Sequence, residues 1–424
     1  MNGTVLLDHL HTADVQMLFE SLYGSDYSAA IKRYGALIKA LLRESPEADV
    51  RLFSAPGRTE LGGNHTDHNR GKVLAASVHL DNVAAASQSG DTIVCFRSTG
   101  YPDVRVDLKD TSPVAAEKGS TEALIRGIAA EFSARNLPVG GWNAVADSLV
   151  PGGSGLSSSA SVEMLIGRIF DSLYGSGGRS FLELAQIGQK AENDYFGKPS
   201  GLMDQTACAS GGVVAIDFED PAAPRVKRLN FNPAASGLTL CVVDTRTSHA
   251  DLTGEYAAIP GEMKAVAQFF GKAVLRDMNP DDLFSNLPAL RGAVGDRALL
   301  RALHFFNENE RVNAMQTALQ NTMIEDFLEL VRESGDSSWE LLQNCSVAGE
   351  TRNQGIGVAL AMTKNFLGKS GACRVHGGGF AGTIQSYVPT DRLAAYRNCM
   401  EGIFGAGAVT ELKIRALGAE EILF

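Results

Sequence analysis

The run "PGGSGLSSSASVEMLIGRIFDSLYG", residues 151–175, decides how the rest of the chain is read. Glycines and serines pass straight into a segment where Val162, Leu165, Ile166, Ile169, Phe170 and Leu173 recur at helical spacing. That pattern predicts a flexible loop opening a long amphipathic helix, with Gly175 as a left-handed terminator. Glycines let a ligand approach the backbone closely, and the first helical N–H groups present the positive end of the helix dipole. Serine hydroxyls add groups suited to phosphate oxygens or magnesium. A serine-capped helix with no ligand would use the same residues. The long, well-patterned helix that follows tips the reading toward phosphate, making Gly153, Gly155, Leu156, Ser157, Ser158 and Ser159 the candidate nucleotide-binding residues.

Two other glycine motifs fail as nucleotide loops. "GKS" at 368–370 lacks the leading glycine of a Walker loop, since Thr363 stands there. "GGGFAG" at 377–382 has the spacing of a dinucleotide fingerprint, but the following "TIQSYV" alternates like a strand, whereas the fingerprint opens a helix.

Composition sets the frame. With 424 residues, 44% apolar and 21% charged, the chain is expected to fold as two domains or one domain with a lobe. A net charge of −11 disfavours nucleic acid and anionic membrane surfaces as partners. The six cysteines are scattered, with no Cys-x-x-Cys pair, as in a reduced, cytoplasmic protein. Neither an export signal nor a membrane span is legible.

Along the chain, residues 12–46 carry two helical patterns. From Val50 the texture becomes short strands: "VRLFSAP", "KVLAASV", "NVAAASQ", "DTIVCFRS" and "VRVDL". A helix capped by Ser120 and the strand "GWNAVADSLV" come next, and Ser180 with Glu183 forms a capping box opening another helix. Prolines and charges after 217 suggest a boundary; beyond it, strands such as "LTLCVVDT" and "GTIQSYV" alternate with helices near 256–272, 309–333 and 390–403. The expected layout is α+β: a helical extension 1–48, a first domain 49–217 and a second domain 218–424.

A third stretch, "APGRTELGGNHTDHNRG" at 55–71, gathers Arg58, Glu60, His65, Asp67 and His68 on what reads as a glycine-flanked loop. A metal site lacks a matching histidine or cysteine cluster downstream. A solvated turn remains open, but carboxylates and imidazoles on a rigid loop are good readers of sugar hydroxyls. Further on, "ENDYFGKPSGLMDQ" offers Glu192 at a helix end and Asp204 past a loop. Either acid alone reads as a surface carboxylate; as a pair beside a phosphate loop they suit phosphoryl transfer, one toward magnesium and one toward the attacking hydroxyl.

Taken in order, "APGRTELGGNHTDHNRGKVL", "PGGSGLSSSAS", "AENDYFGKPSGLMDQ" and "HGGGFAG" resemble the motifs of the GHMP kinase superfamily, and specifically of galactokinases. The resemblance implies the two-domain GHMP kinase fold, with a left-handed β-α-β crossover in the first domain and the active site between the domains. It implies ATP and Mg²⁺ as co-substrate and cofactor, a small sugar as the other partner, and a monomer or weak homodimer. By resemblance Asp204 orients or deprotonates the anomeric hydroxyl with Arg58 beside it, and Ser158, Ser159 and Glu192 contact phosphate and magnesium. Asn64, His65, Asp67 and Tyr256 line the sugar site, and Gly377, Gly378 and Gly379 shape its floor. Two departures bear on the substrate. The family's glutamate before the histidine is Asn64 here, and plant galacturonokinases likewise lack that acid and carry a histidine matching His68. The resemblance makes galactose the expected substrate; these departures make galacturonate or another C6-modified sugar the alternative, and a non-catalytic sugar-sensing regulator is the reading from another class. Ala381 also replaces a usual glycine in the third motif.

Overall fold

The computed structural model describes residues 1–247 and 252–422. In chain order its elements are helices α1 (Gly3–His9), α2 (Ala13–Tyr23) and α3 (Tyr27–Leu42), then strands β1 (Arg51–Gly62), β2 (Lys72–Gln88), β3 (Ile93–Ser98) and β4 (Val104–Asp107). Helix α4 (Thr121–Ala134), β5 (Trp142–Ser148), α5 (Ser158–Tyr174), α6 (Phe181–Ala191), α7 (Met203–Ser210), β6 (Val213–Asp217), β7 (Arg225–Leu229) and β8 (Leu238–Asp244) follow. The rest comprises α8 (Thr253–Phe269), α9 (Pro280–Ser285), α10 (Leu287–Val294), α11 (Asp296–Gln320), α12 (Ile324–Ser337), α13 (Gly355–Leu367), β9 (Ala372–His376), β10 (Thr383–Pro389), α14 (Leu393–Phe404), β11 (Val409–Leu412) and β12 (Glu420–Ile422).

The strands make two sheets, the α+β arrangement expected from the sequence. The larger runs β12-β1-β2-β5-β3-β4, with β6 and β7 branching from β2; the smaller is antiparallel, β11-β8-β10-β9. Strands β3 and β5 pair in parallel with α4 between them in sequence, a β-α-β unit in an otherwise antiparallel sheet. Strands β7 and β12, both beyond residue 217, close this first sheet, so position 217 divides two paired strands, β6 and β7.

Strand β2 explains much of the architecture. The expectation of two strands at 72–88 is corrected to one continuous strand, because Asp81 in the intervening "HLDN" is fully buried and neutralised rather than turned to water. It accepts hydrogen bonds from Arg33, Arg415, Tyr23 and Ser54. Alternate residues then face opposite ways: Ala84 and Ala86 join the core under α4–α7, while Val83 and Ala85 pack on the N-terminal helices with Leu22, Tyr34 and Leu41. A sheet buried on both faces reads as a near-continuous apolar run, and the polar residues around Asp81, interrupting that run, hid the single-strand nature of β2. The two helices expected over 12–46 are α2 and α3, separated by the 3₁₀ turn Gly24–Asp26, with α1 as a further helix before them; the helix expected at 309–333 is two, broken at Thr322 with φ 58°. Gly175 is not left-handed: its φ is −87°, and it is glycine because a Cβ would lie 2.7 Å from the Asp171 carbonyl. Positive φ falls at Gly177 instead, whose N–H returns to that carbonyl.

Candidate active site

Four segments meet at the amino end of α5. Arg58, expected on a loop, lies within β1, where register shifts flank it on both sides. A strand holds a side chain in place better than a loop, and Arg58 uses that: its Nε and Nη2 reach Asp204 Oδ1 at 2.8 and 2.7 Å, and Nη1 donates to the Gly155 carbonyl. Asp204 sits in the first turn of α7, so the helix N-terminus adds to the positive potential around it. Burial alone pushes its carboxyl up; the Arg58 guanidinium, the Ser157 hydroxyl and Lys198 outweigh burial and hold it below the usual carboxylate range.

Ser157 does not cap α5. Its backbone is left-handed, φ 55°, and its Oγ donates to Asp204 Oδ2 at 2.5 Å. The glycine-serine loop is thereby tied to the acid rather than to its own helix. Gly155 brings the loop against the third motif, where a Cβ would stand 2.8 Å from His376 Nδ1. Leu156 is 1% exposed and packs in the core with Val150, so only its backbone faces the loop, accepting from the Arg58 N–H. Among the expected nucleotide-binding residues it is therefore the one whose side chain belongs elsewhere; Gly153 and Ser158 lie on the loop and first helical turn.

Beside this cluster Ser159 Oγ donates to Glu192 Oε1 at 3.1 Å. Glu192 begins a π-helical turn, Glu192–Phe196, after α6, which ends at left-handed Gly197 and re-aims the chain toward Asp204. Sequence reasoning missed three neighbours. Lys198 Nζ donates to the same Glu192 oxygen at 2.8 Å, and Gln205 Nε2 bridges Glu192 Oε2 and Glu163 Oε2, each at 2.9 Å. Glu163 is fully buried, and that burial, with Glu192 next to it, drives its carboxyl well above the ordinary value. Glu163 falls one turn after Ser159 on the helix, a spacing the sequence displayed; Gln205 and Lys198 carried no local signal.

The stretch expected to read hydroxyls, residues 62–71, is a tight turn followed by a short 3₁₀ turn at Asp67–Asn69, and it is clamped from α11. Glu308 accepts from the Gly63 N–H, His304 from its ring Nε2 donates to the Asn64 carbonyl, and Asn309 Oδ1 accepts from the Lys72 N–H. His65 is left-handed, φ 58°, and its Nε2–H donates to the Gly378 carbonyl at 2.9 Å. Burial, then the neighbouring His68, lowers its pKa to about 3, so the ring is neutral and its Nδ1 is an acceptor. Asp67 presses on the Asp204 loop: a Cβ on Gly201 would lie 1.8 Å from Asp67 Oδ2. Tyr256 stacks edge-on against Phe380 and donates to the Gly379 carbonyl at 3.0 Å, while a Cβ on Gly378 would fall 2.6 Å from its ring. His65 and Tyr256 thus flank Gly377–Gly379, which forms a turn between β9 and β10 as its alternating flank predicted.

Asn64 departs from expectation. It is 1% exposed; Nδ2 donates to Glu60 and to the Gly377 carbonyl, and Oδ1 accepts from Asn344. Glu60 in turn is paired with fully buried Arg374. The Asn64 side chain braces the loop from beneath instead of facing a ligand, so its geometry gives no support to a C6 preference built on it.

Sugar and mevalonate kinases are among the known proteins to which this chain is similar. The galactokinase galactose-binding signature matches residues 43–88, spanning β1, the turn at 62–71 and β2, and the GHMP kinases N terminal domain matches 123–212, spanning α4 to α7. A galactokinase of Streptomyces coelicolor is 30% identical over 378 residues, 88% of this chain and 93% of that protein. One from Glaesserella parasuis is 30% identical over 356 residues, 82% and 88% respectively. In fold, the chain is similar to a Lactococcus lactis galactokinase crystallised with galactose, with a TM-score of 0.78 at 22% identity over 91% of this chain and 98% of that one. A Methanococcus jannaschii mevalonate kinase follows at 0.60 and 13%, over 86% and 98%. On the strength of that sequence likeness along nearly its whole length, the chain belongs to the galactokinase family, within the GHMP kinase fold.

Proposed function

We propose that this protein transfers the γ-phosphoryl group of ATP to the anomeric hydroxyl of galactose. The observation that carries the proposal is Asp204, locked by Arg58 and Ser157 at the amino end of α5 and touched through Gly201 by the hydroxyl-reading turn. A sugar lying on that turn places its O1 at Asp204; a triphosphate on the loop 151–159 faces it, its charge met by helical N–H groups and serine hydroxyls.

In the reaction, Asp204 accepts the hydrogen bond from O1–H and so aims the oxygen at phosphorus. As the O1–P bond forms and the bond to ADP breaks, the proton passes to the carboxylate. An aspartate whose pKa is held down is a weak base, so its larger contribution is orientation and charge. His65 Nδ1, Asp67 and the Tyr256 hydroxyl are the proposed sugar contacts. Ser159 and Glu192 offer one hydroxyl and one carboxylate next to the loop, and no cluster of three metal-binding side chains occurs among the described residues. That donor set fits Mg²⁺ held jointly by protein and phosphates rather than by a protein cage. Bound there, the ion would draw charge from the phosphate oxygens. The division into domains near residue 217 belongs to the same reading: the hydroxyl-reading turn, the phosphate loop and Asp204 precede it, while the α11 clamp, Tyr256 and the third glycine motif follow.

The test is ADP release with purified protein, MgATP and a panel of hexoses. Turnover dependent on galactose supports the reading. Tight galactose binding with no ADP release would favour a sugar-sensing regulator.

A further inference from the structure

Lys198 stands apart from the rest of the cluster. It follows Gly197, whose φ of 86° starts the loop toward Asp204, and its side chain is 55% exposed, yet its ammonium sits 2.8 Å from Glu192 Oε1. That is the oxygen to which Ser159 also donates. The surrounding charge is acidic: Glu192, Asp204 and Glu163 all raise the Lys198 pKa against the effect of burial. Arg58, the other cation here, is fixed between Asp204 and the Gly155 carbonyl. The phosphate loop and the first turns of α5, residues 151–167, contain no lysine or arginine. A triphosphate entering beside Glu192 and Asp204 therefore meets, in Lys198, a cation already at the site with a flexible stem and an exposed approach.

We propose that Lys198 is a displaceable counter-cation: its ammonium occupies Glu192 until a metal–triphosphate arrives, then moves onto a phosphate oxygen. A divalent cation at Glu192 and Ser159 takes the same oxygen the ammonium holds, so the two compete for one site. Once released, Nζ retains three donors on a four-carbon stem, and phosphate is the anion newly brought within its range. Only the second half of this inference rests on the kinase reading of the site.

Competition is read directly by Mn²⁺ titration of the nucleotide-free protein, followed by electron paramagnetic resonance. Removing a charge-assisted contact at Glu192 should tighten Mn²⁺ binding in Lys198→Met by about tenfold, and losing a phosphate contact should raise its KM for MgATP by about tenfold with the galactose KM little changed. Lys198→Arg keeps the charge and should stay near wild type in both. Lys118→Met is the control: its stem passes Gly197, but it makes no contact with Glu192. Mn²⁺ affinity in Lys198→Met that is unchanged or undetectable overturns the proposal, and so does equal tightening in Lys118→Met. An unchanged MgATP KM overturns the transfer to phosphate. Tightened Mn²⁺ binding in a protein inactive on every sugar supports the pairing with Glu192 while refuting the kinase reading.

Discussion

Replacing Arg58 by leucine isolates what the β1 strand contributes to Asp204. The substitution removes two contacts on Asp204 Oδ1 and one on the Gly155 carbonyl, and leaves the carboxylate with Ser157 and Lys198. Breaking a buried pair from one side costs roughly 3–5 kcal/mol. Asp204 keeps 27% of its side-chain exposure, so solvent recovers part of that, and about 3 kcal/mol of stability is the expected loss at neutral pH. The sign with pH follows from the direction of the shift. With its folded pKa depressed, Asp204 contributes stability above the ordinary carboxylate range and loses it as pH falls through the folded value. Without Arg58, burial dominates, the folded pKa rises, and the acid limb of kcat/KM moves toward neutrality. Urea unfolding at pH 7 and 5, with a kcat/KM profile from pH 5 to 9 by coupled ADP release, measures both. An active Arg58→Leu enzyme whose acid limb coincides with wild type, and whose stability is intact, would refute the argument.

Asp204→Asn should abolish turnover while MgATP affinity, measured calorimetrically, stays within about threefold; robust residual turnover denies Asp204 its role. Gly201→Ala pushes a methyl into Asp67 Oδ2, so the galactose KM should rise about tenfold with a stability loss of about 1–3 kcal/mol; an unchanged KM would separate Asp67 from the sugar. Asn64→Glu adds a second buried carboxylate beside Glu60, with Arg374 as the shared cation, and should cost more than about 2 kcal/mol in urea unfolding. A stable Asn64→Glu protein that gains galactose selectivity over galacturonate would place that side chain at the sugar after all.

The parts of the site that were legible in the sequence are those whose chemistry is local. A glycine-serine loop before a helix, a capping box at Ser180 and an alternating strand after "GGGFAG" each show their structure within a dozen residues. What was hidden is long-range. Asp81 reads as a turn until Arg33 and Arg415, from opposite ends of the chain, neutralise it inside β2. Asn64 reads as a ligand contact until Glu60, Gly377 and Asn344 consume its amide. Lys198 and Gln205 matter only because a π-helical turn brings Glu192 to them, and the α11 clamp on the hydroxyl-reading turn joins residues some 240 positions apart, as His304 to Asn64 shows. Periodicity carries no information about such partners.

Two-dimensional ¹H–³¹P NMR of the product formed from galactose and MgATP tests the central arrangement most directly, since it reports which hydroxyl lay against Asp204. Phosphorus coupled to the anomeric proton alone is the predicted result. Phosphorus coupled to the C6 protons, or no phosphorylated galactose, would contradict it.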